Sequence, residues 1–325
     1  MKVPTLIFAA AVLSSLTASG SIVGAADYPA KPVKMVVPFP PGGGVDVIAR
    51  TVAQKLSARL GGQFYVENLP GAGGDIGTVA VANAAPDGHT VLFVAPDFVT
   101  SPLVKAKVAY NPLKNFAPVS LVATAQEAIT IHPSVAARNV GELLTLIKSS
   151  PNRYTMAIPG YGTLSHLEGL RLFGLSHGLH VTYVPFQGLA PALTSTVGGH
   201  TTILIGPIAL VAPSLKDGHL HALAVEGAKR SPLLADVPTL AEAGILNHES
   251  EFATGLLVPA GTPAGIVRLL QAQIAQITAL PDVKERLGTL GFDPIGSTSD
   301  EFAAWIKAET AKWAPIVRAA NVKIN

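Results

Sequence analysis

The chain has 325 residues, of which 14% are charged, with 23 Lys+Arg against 21 Asp+Glu and a formal net charge of +2. That balance lacks the basic stripe that nucleic-acid binding requires, so no nucleic-acid partner is expected. With no cysteine, disulfides, thiolate metal sites and a cysteine-borne lipid anchor are all excluded, and a chain of this length can bury an adequate core without staples.

The first 26 residues read as a signal peptide. Lys2 supplies the positive start, and an apolar stretch runs from Leu6 to Leu16, broken only by Ser14 and Ser15. A membrane span needs about 20 apolar residues, and this stretch is shorter. Small residues at Gly24, Ala25 and Ala26 suit cleavage near Ala25 or Ala26. The mature chain is therefore expected free in the periplasm, as a monomer.

Beyond the leader, short Val/Ile/Tyr-rich runs alternate with amphipathic stretches, the pattern of a parallel sheet covered by helices. Strands are predicted near 33–39, 63–68 and 90–95, with helices near 44–60 and 75–85. Residues 117–133 form an extended run that reads as a crossing between domains. A second series follows, with helices near 140–149, 166–177, 190–198 and 208–217 and strands near 154–159, 181–186, 201–206 and 220–226. Residues 252–259 read as a return crossing. Thr262 is expected to cap a helix with Pro263 at its first position. Thr298 and Glu301 have capping-box spacing before a last helix, whose Trp305 and Trp313 are expected in the core. The expected architecture is α/β in two domains, 27–124 with 250–325 and 125–249, with a ligand cleft between them.

Two glycine turns follow predicted strands near the start: Gly42-Gly43-Gly44, and Gly71-Ala72-Gly73-Gly74. Such turns bring backbone N–H groups close to a ligand at helix starts, an anion site that needs no basic side chain. A valine at Gly43 should resist the positive φ of such a turn and fill the space before it. Asp46, in the next helical turn, is expected to hold the first turn rigid. The second turn misses the dinucleotide fingerprint, because Ile76 stands where its third glycine belongs. A third strand-turn-helix start holds Gly160, Tyr161, Gly162, Thr163 and Ser165; the two hydroxyls either cap the helix or donate to a ligand carboxylate. Ser165 beside His166 lacks the G-x-S-x-G elbow of a hydrolase. No H-E-x-x-H or phosphate-loop motif occurs, so neither metal nor cofactor is expected.

The ordered motifs Pro38-Phe39-Pro40-Pro41-Gly42-Gly43-Gly44, Val66-Glu67-Asn68-Leu69-Pro70-Gly71, Pro86-Asp87-Gly88-His89-Thr90, Val184-Pro185-Phe186-Gln187-Gly188, Asp236-Val237-Pro238-Thr239 and Pro259-Ala260-Gly261-Thr262-Pro263 closely resemble the Bug or TctC-type extracytoplasmic receptors of tripartite tricarboxylate transporters. The resemblance spans essentially the whole mature chain. It implies a type II periplasmic-binding-protein fold whose two α/β domains close on a small organic carboxylate and deliver it to inner-membrane permease subunits. Family members hold a ligand carboxylate through backbone amides and ordered waters. On this chain the role falls to the turn from Phe39 to Gly44, the turn from Gly71 to Gly74, Gly160 to Ser165, and Phe186 with Gly188, where the family more often has tyrosine than Phe186. Gly206 stands where amino-acid-binding relatives carry an acid that meets the ligand ammonium, which argues for a ligand without one. The alternatives are a carboxylate sensor for a signalling partner and a hydrolase using Ser165, His166 or Asp46 in the same cleft.

Overall fold

A computed structural model describes residues 28–322; the predicted leader lies outside them. Strand β1 (Val33–Val37) alternates as a buried strand should. Val33, Met35 and Val37 join one apolar cluster and Val36 another, on the opposite face. β1 lies parallel between β2 (Phe64–Asn68) and β3 (Thr90–Val94). Helix α1 (Gly44–Leu60) presents Val45, Ile48, Ala49, Val52 and Leu56 to the first cluster at helical spacing. Helices α2 (Asp75–Ala82) and α3 (Asp97–Val104) cover the other face.

The predicted first crossing is one strand, β4 (Phe116–Ile131), of 16 residues and roughly 50 Å long at about 3.3 Å per residue. Its first part pairs antiparallel with β9 (Glu251–Pro259), the return crossing. Its last part pairs antiparallel with β7 (Ile203–Pro207) and β8 (His221–Val225). Strands β5 (Thr155–Ile158) and β6 (Thr182–Pro185) continue the second half in parallel with β7. The result is a continuous sheet in the order β2-β1-β3-β9-β4-β7-β5-β6, with two α/β halves sharing β4. It is mixed rather than parallel, because both crossings enter it antiparallel to their neighbours.

Helices α4 (Val140–Ser149), α5 (Leu164–Gly169), α6 (Leu189–Val197) and α7 (Ile208–Lys216) cover the second half. α5 widens into a π-helical stretch, Leu170–Leu175. Helices α8 (Ala264–Thr278), α9 (Pro281–Thr289) and α10 (Ser299–Ala319) return to the first half, with the two-residue strand β10 (Asp293–Pro294) before α10. The capping box of Thr298 and Glu301 is present. The expected cap at Thr262 is not: its hydroxyl donates to the Pro259 carbonyl (2.8 Å), and Pro263 takes the N-cap position itself. Trp313 is fully buried, and Trp305 packs half-buried against the cluster under α10. No described helix is long and apolar enough to cross a membrane.

Candidate functional site

The first two glycine turns lie side by side because β1 and β2 are parallel neighbours. A Cβ built on Gly74 would stand 3.6 Å from the Phe39 ring. Asp46 organises the first turn: its Oδ2 accepts the Gly42 amide (2.9 Å) and Arg50 Nε (3.0 Å), and its Oδ1 accepts Asn68 Nδ2 (2.8 Å). Burial alone would raise the Asp46 carboxyl, but the hydrogen bonds from Arg50, Gly42 and Asn68 outweigh it and hold it below the usual carboxylate range. Gly42 has φ +87°, yet Gly43 has φ −74°, which any residue adopts. The expected strain of a valine at Gly43 is therefore absent. No heavy atom lies within 4 Å of its Cβ position, so such a variant would test space alone. Among the described residues, the Gly43 and Gly44 amides donate to nothing.

The second turn is tighter. Gly71, Gly73 and Gly74 all have positive φ, and so does Ala72, at 49°. A side chain in that region is uncommon and costs energy, so something must hold it. Lys105 does so: its Nζ donates to the Ala72 carbonyl and to Asp75 Oδ2 (2.6 Å). Asp75 Oδ1 also accepts Ser101 Oγ (2.7 Å).

In the third turn Gly160 and Gly162 have φ +148° and +81°. Thr163 Oγ1 donates to the Gly160 carbonyl (2.8 Å), and the Gly162 amide donates to His166 Nδ1 (3.0 Å). Ser165 is buried, with its Oγ donated to the Ile205 carbonyl (2.9 Å). Neither hydroxyl caps α5, contrary to one of the two expectations. Ser165 and His166 do not form a nucleophile–base pair either.

A cleft of about 810 Å³ opens between the halves. Of the predicted residues it is lined by Ala72, Gly73, Gly160, Tyr161, Thr163 and Phe186. Gly71 and Gly74 flank the lining part of the second turn, while Phe39, Gly42, Gly43 and Gly44, expected at the ligand, do not line the cleft. Gly162, Ser165 and Gly188 support the opposite wall; the Gly188 amide donates to the Pro159 carbonyl (3.2 Å). Gly206 is buried in β7 opposite Ala128, with its Cβ position 3.5 Å from Leu189, and does not line the cleft. Sequence reasoning passed over Asp75 and Gln187, although both sit inside motifs it had singled out. It also missed Lys105 and Lys107, which no spacing rule marks.

A second assembly was illegible in sequence. Glu127 of β4, Glu168 of α5 and Glu226 after β8 bring carboxylate oxygens within 4.8 Å of one another, each residue 1% exposed. Three carboxylates could ligate a hard cation. Full burial favours protons instead, and it outweighs the charges of Arg171 and Lys312, which act the other way on Glu226. Burial first, then the Glu168 charge and its hydrogen bond, push Glu127 and Glu226 well above the usual carboxyl range. Protonated, they can donate to Glu168, whose two oxygens otherwise have no partner among the described residues. Carboxyls raised on folding contribute stability that is complete below the unfolded value of about 4.3 and is lost as pH rises through the folded values. Burial also raises Asp97, to about 7, in the same direction, whereas burial lowers His166 and His248 to about 4, in the opposite direction. The expected outcome is that Glu127→Gln/Glu226→Gln gains melting temperature relative to the wild type as pH rises from 5 to 9. A constant difference across that range would disprove proton storage here.

Residues 48–322 match the family model described as tripartite tricarboxylate transporter family receptor. The chain is 33% identical over 306 residues to protein BugT of Bordetella pertussis, covering 93% of each chain. Among solved structures, Rpa4515 of R. palustris with adipate superposes with a TM-score of 0.84 at 30% identity, covering 91% of this chain and 99% of that one. MatC of Rhodopseudomonas palustris with bound malate gives 0.82 at 31% identity, covering 89% and 100%.

Proposed function

Since the chain belongs to the tripartite tricarboxylate transporter receptor family, we propose that it captures a small organic carboxylate in the periplasm and hands it to the membrane subunits of such a transporter. The observation that carries this reading is the cleft, with a glycine turn on either wall and Lys105 and Lys107 along its edge. Backbone amides and ammonium groups are the donors a carboxylate needs. Two related proteins with bound adipate and malate support the ligand class. Among the described residues the one carboxylate lining the cleft, Asp75, is already paired with Lys105, which leaves no free acid there for a ligand ammonium. Plain carboxylates are therefore preferred over amino acids, and the case rests on Asp75 rather than on Gly206, which does not line the cleft.

The test is a thermal-shift screen over mono-, di- and tricarboxylates, with glutamate and aspartate as controls. A true ligand at 100 times its Kd adds about 2.7 kcal/mol of stability. Small-angle scattering with that ligand should show a smaller radius of gyration as the halves close on it. A panel that leaves the melting temperature unmoved, or amino acids binding more tightly than plain carboxylates, would refute the ligand class.

A further inference from the structure

We infer that His166 is a positioning residue for the cleft: its unprotonated Nδ1 accepts the Gly162 amide and fixes the turn at residues 160–163 in the shape that meets the ligand. The first and third glycine turns are built on one plan. In each, a glycine of positive φ donates its amide to a side chain four residues further on, in the first turn of the next helix: Gly42 to Asp46 at 2.9 Å, and Gly162 to His166 at 3.0 Å. The difference between the acceptors follows from their surroundings. Asp46 has Arg50 and Asn68 to balance its charge. Among the described residues His166 has no charged partner. It is 3% exposed and makes T-shaped contacts with the rings of Tyr161 and Tyr183, with centroids at 5.4 and 4.9 Å. A carboxylate there would be a bare charge behind a turn that faces an anion. Neutral imidazole supplies the same acceptor without the charge, provided its proton sits on Nε2. Burial alone lowers its pKa to about 4, so the acceptor persists through neutral pH.

This rests on the carboxylate reading only in naming what the turn meets, and the experiment separates the two. Nitrogen NMR at pH 7 should show His166 neutral with its proton on Nε2. His166→Asn keeps an acceptor oxygen near the Nδ1 position, whereas His166→Phe keeps a ring and loses the acceptor. Hydrogen-exchange protection of the Gly162 amide should fall at least tenfold in the Phe variant and stay near wild type in the Asn variant. Calorimetry with adipate and malate should follow the same order. Taken from pH 7 to 4, the wild type should lose protection beyond the intrinsic rate change, and His166→Asn should not. A proton on Nδ1, unchanged Gly162 protection in His166→Phe, or equal adipate and malate affinity in the two variants would overturn the assignment. If protection behaves as expected and no carboxylate binds the wild type, the positioning role stands and the ligand class falls.

Discussion

Lys105→Met is expected to weaken carboxylate binding at least tenfold in calorimetry while the protein stays folded. Two effects act in the same direction. Asp75, paired with Lys105 at 2.6 Å and lining the cleft, becomes a bare negative charge facing an anionic ligand. Two like charges at about 4 Å repel by about 4 kcal/mol at an effective dielectric near 20, and distance and screening reduce this in an open cleft. The Ala72 carbonyl also loses the ammonium that holds its positive-φ conformation. The double variant Lys105→Met/Asp75→Asn removes the stranded charge and should recover part of the affinity. Wild-type affinity in the single variant would mean that the pair only braces the turn.

Trp313→Ala should cost about 3–5 kcal/mol of stability and on the order of 10 °C in melting temperature. Trp313 is fully buried, and its Nε1 donates to Glu309 Oε2 (2.8 Å). The Arg171 guanidinium lies 4.9 Å from its ring centroid. Although α10 covers the first half, this side chain shares an apolar cluster with Leu164 and Leu167 of α5, in the second. The loss therefore removes packing between halves as well as within one. A Phe variant keeps much of the volume and should recover more than half of the loss, as followed by denaturant unfolding. A cost below about 1 kcal/mol for the Ala variant would show that the site collapses and that the tryptophan is not a keystone.

The alternation of β and α segments was legible because the strands between helices are short, β-rich and bounded by turn residues. Val33 to Val37 and Thr90 to Val94 are of this kind. Helix α3 escaped because Phe98, Val99, Thr100, Ser101 and Val104 are all buried, leaving no polar face to reveal a helical period, and Pro102 argues against one. Helix α9 escaped for the opposite reason. Asp282, Lys284, Glu285 and Arg286 make it strongly charged, with only Val283 and Leu287 buried. In the site, the glycine turns announced themselves through composition. What holds them did not: Lys105 reaches Ala72 from beyond α3, and Asn68 reaches Phe39 from the next strand. Three glutamates spread from 127 to 226 carry no spacing signal, because the sheet that gathers them also pairs strands distant in the chain.

The route of β4 and β9 sets an order of assembly. Gln126 faces Glu251 in their shared register, so everything between leaves and re-enters through neighbouring positions. Residues of the second half are contiguous and find their partners locally. The half that holds the earliest strands cannot close early: Leu92 must wait for Leu257, and Val119 for the helix that carries Ser299. During synthesis the middle of the chain can mature first, while the beginning stays an open sheet edge until the last quarter arrives. An unfinished edge invites mispairing, so the C-terminal segment, which contributes no residue to the cleft lining, becomes the part on which the yield of folded protein depends.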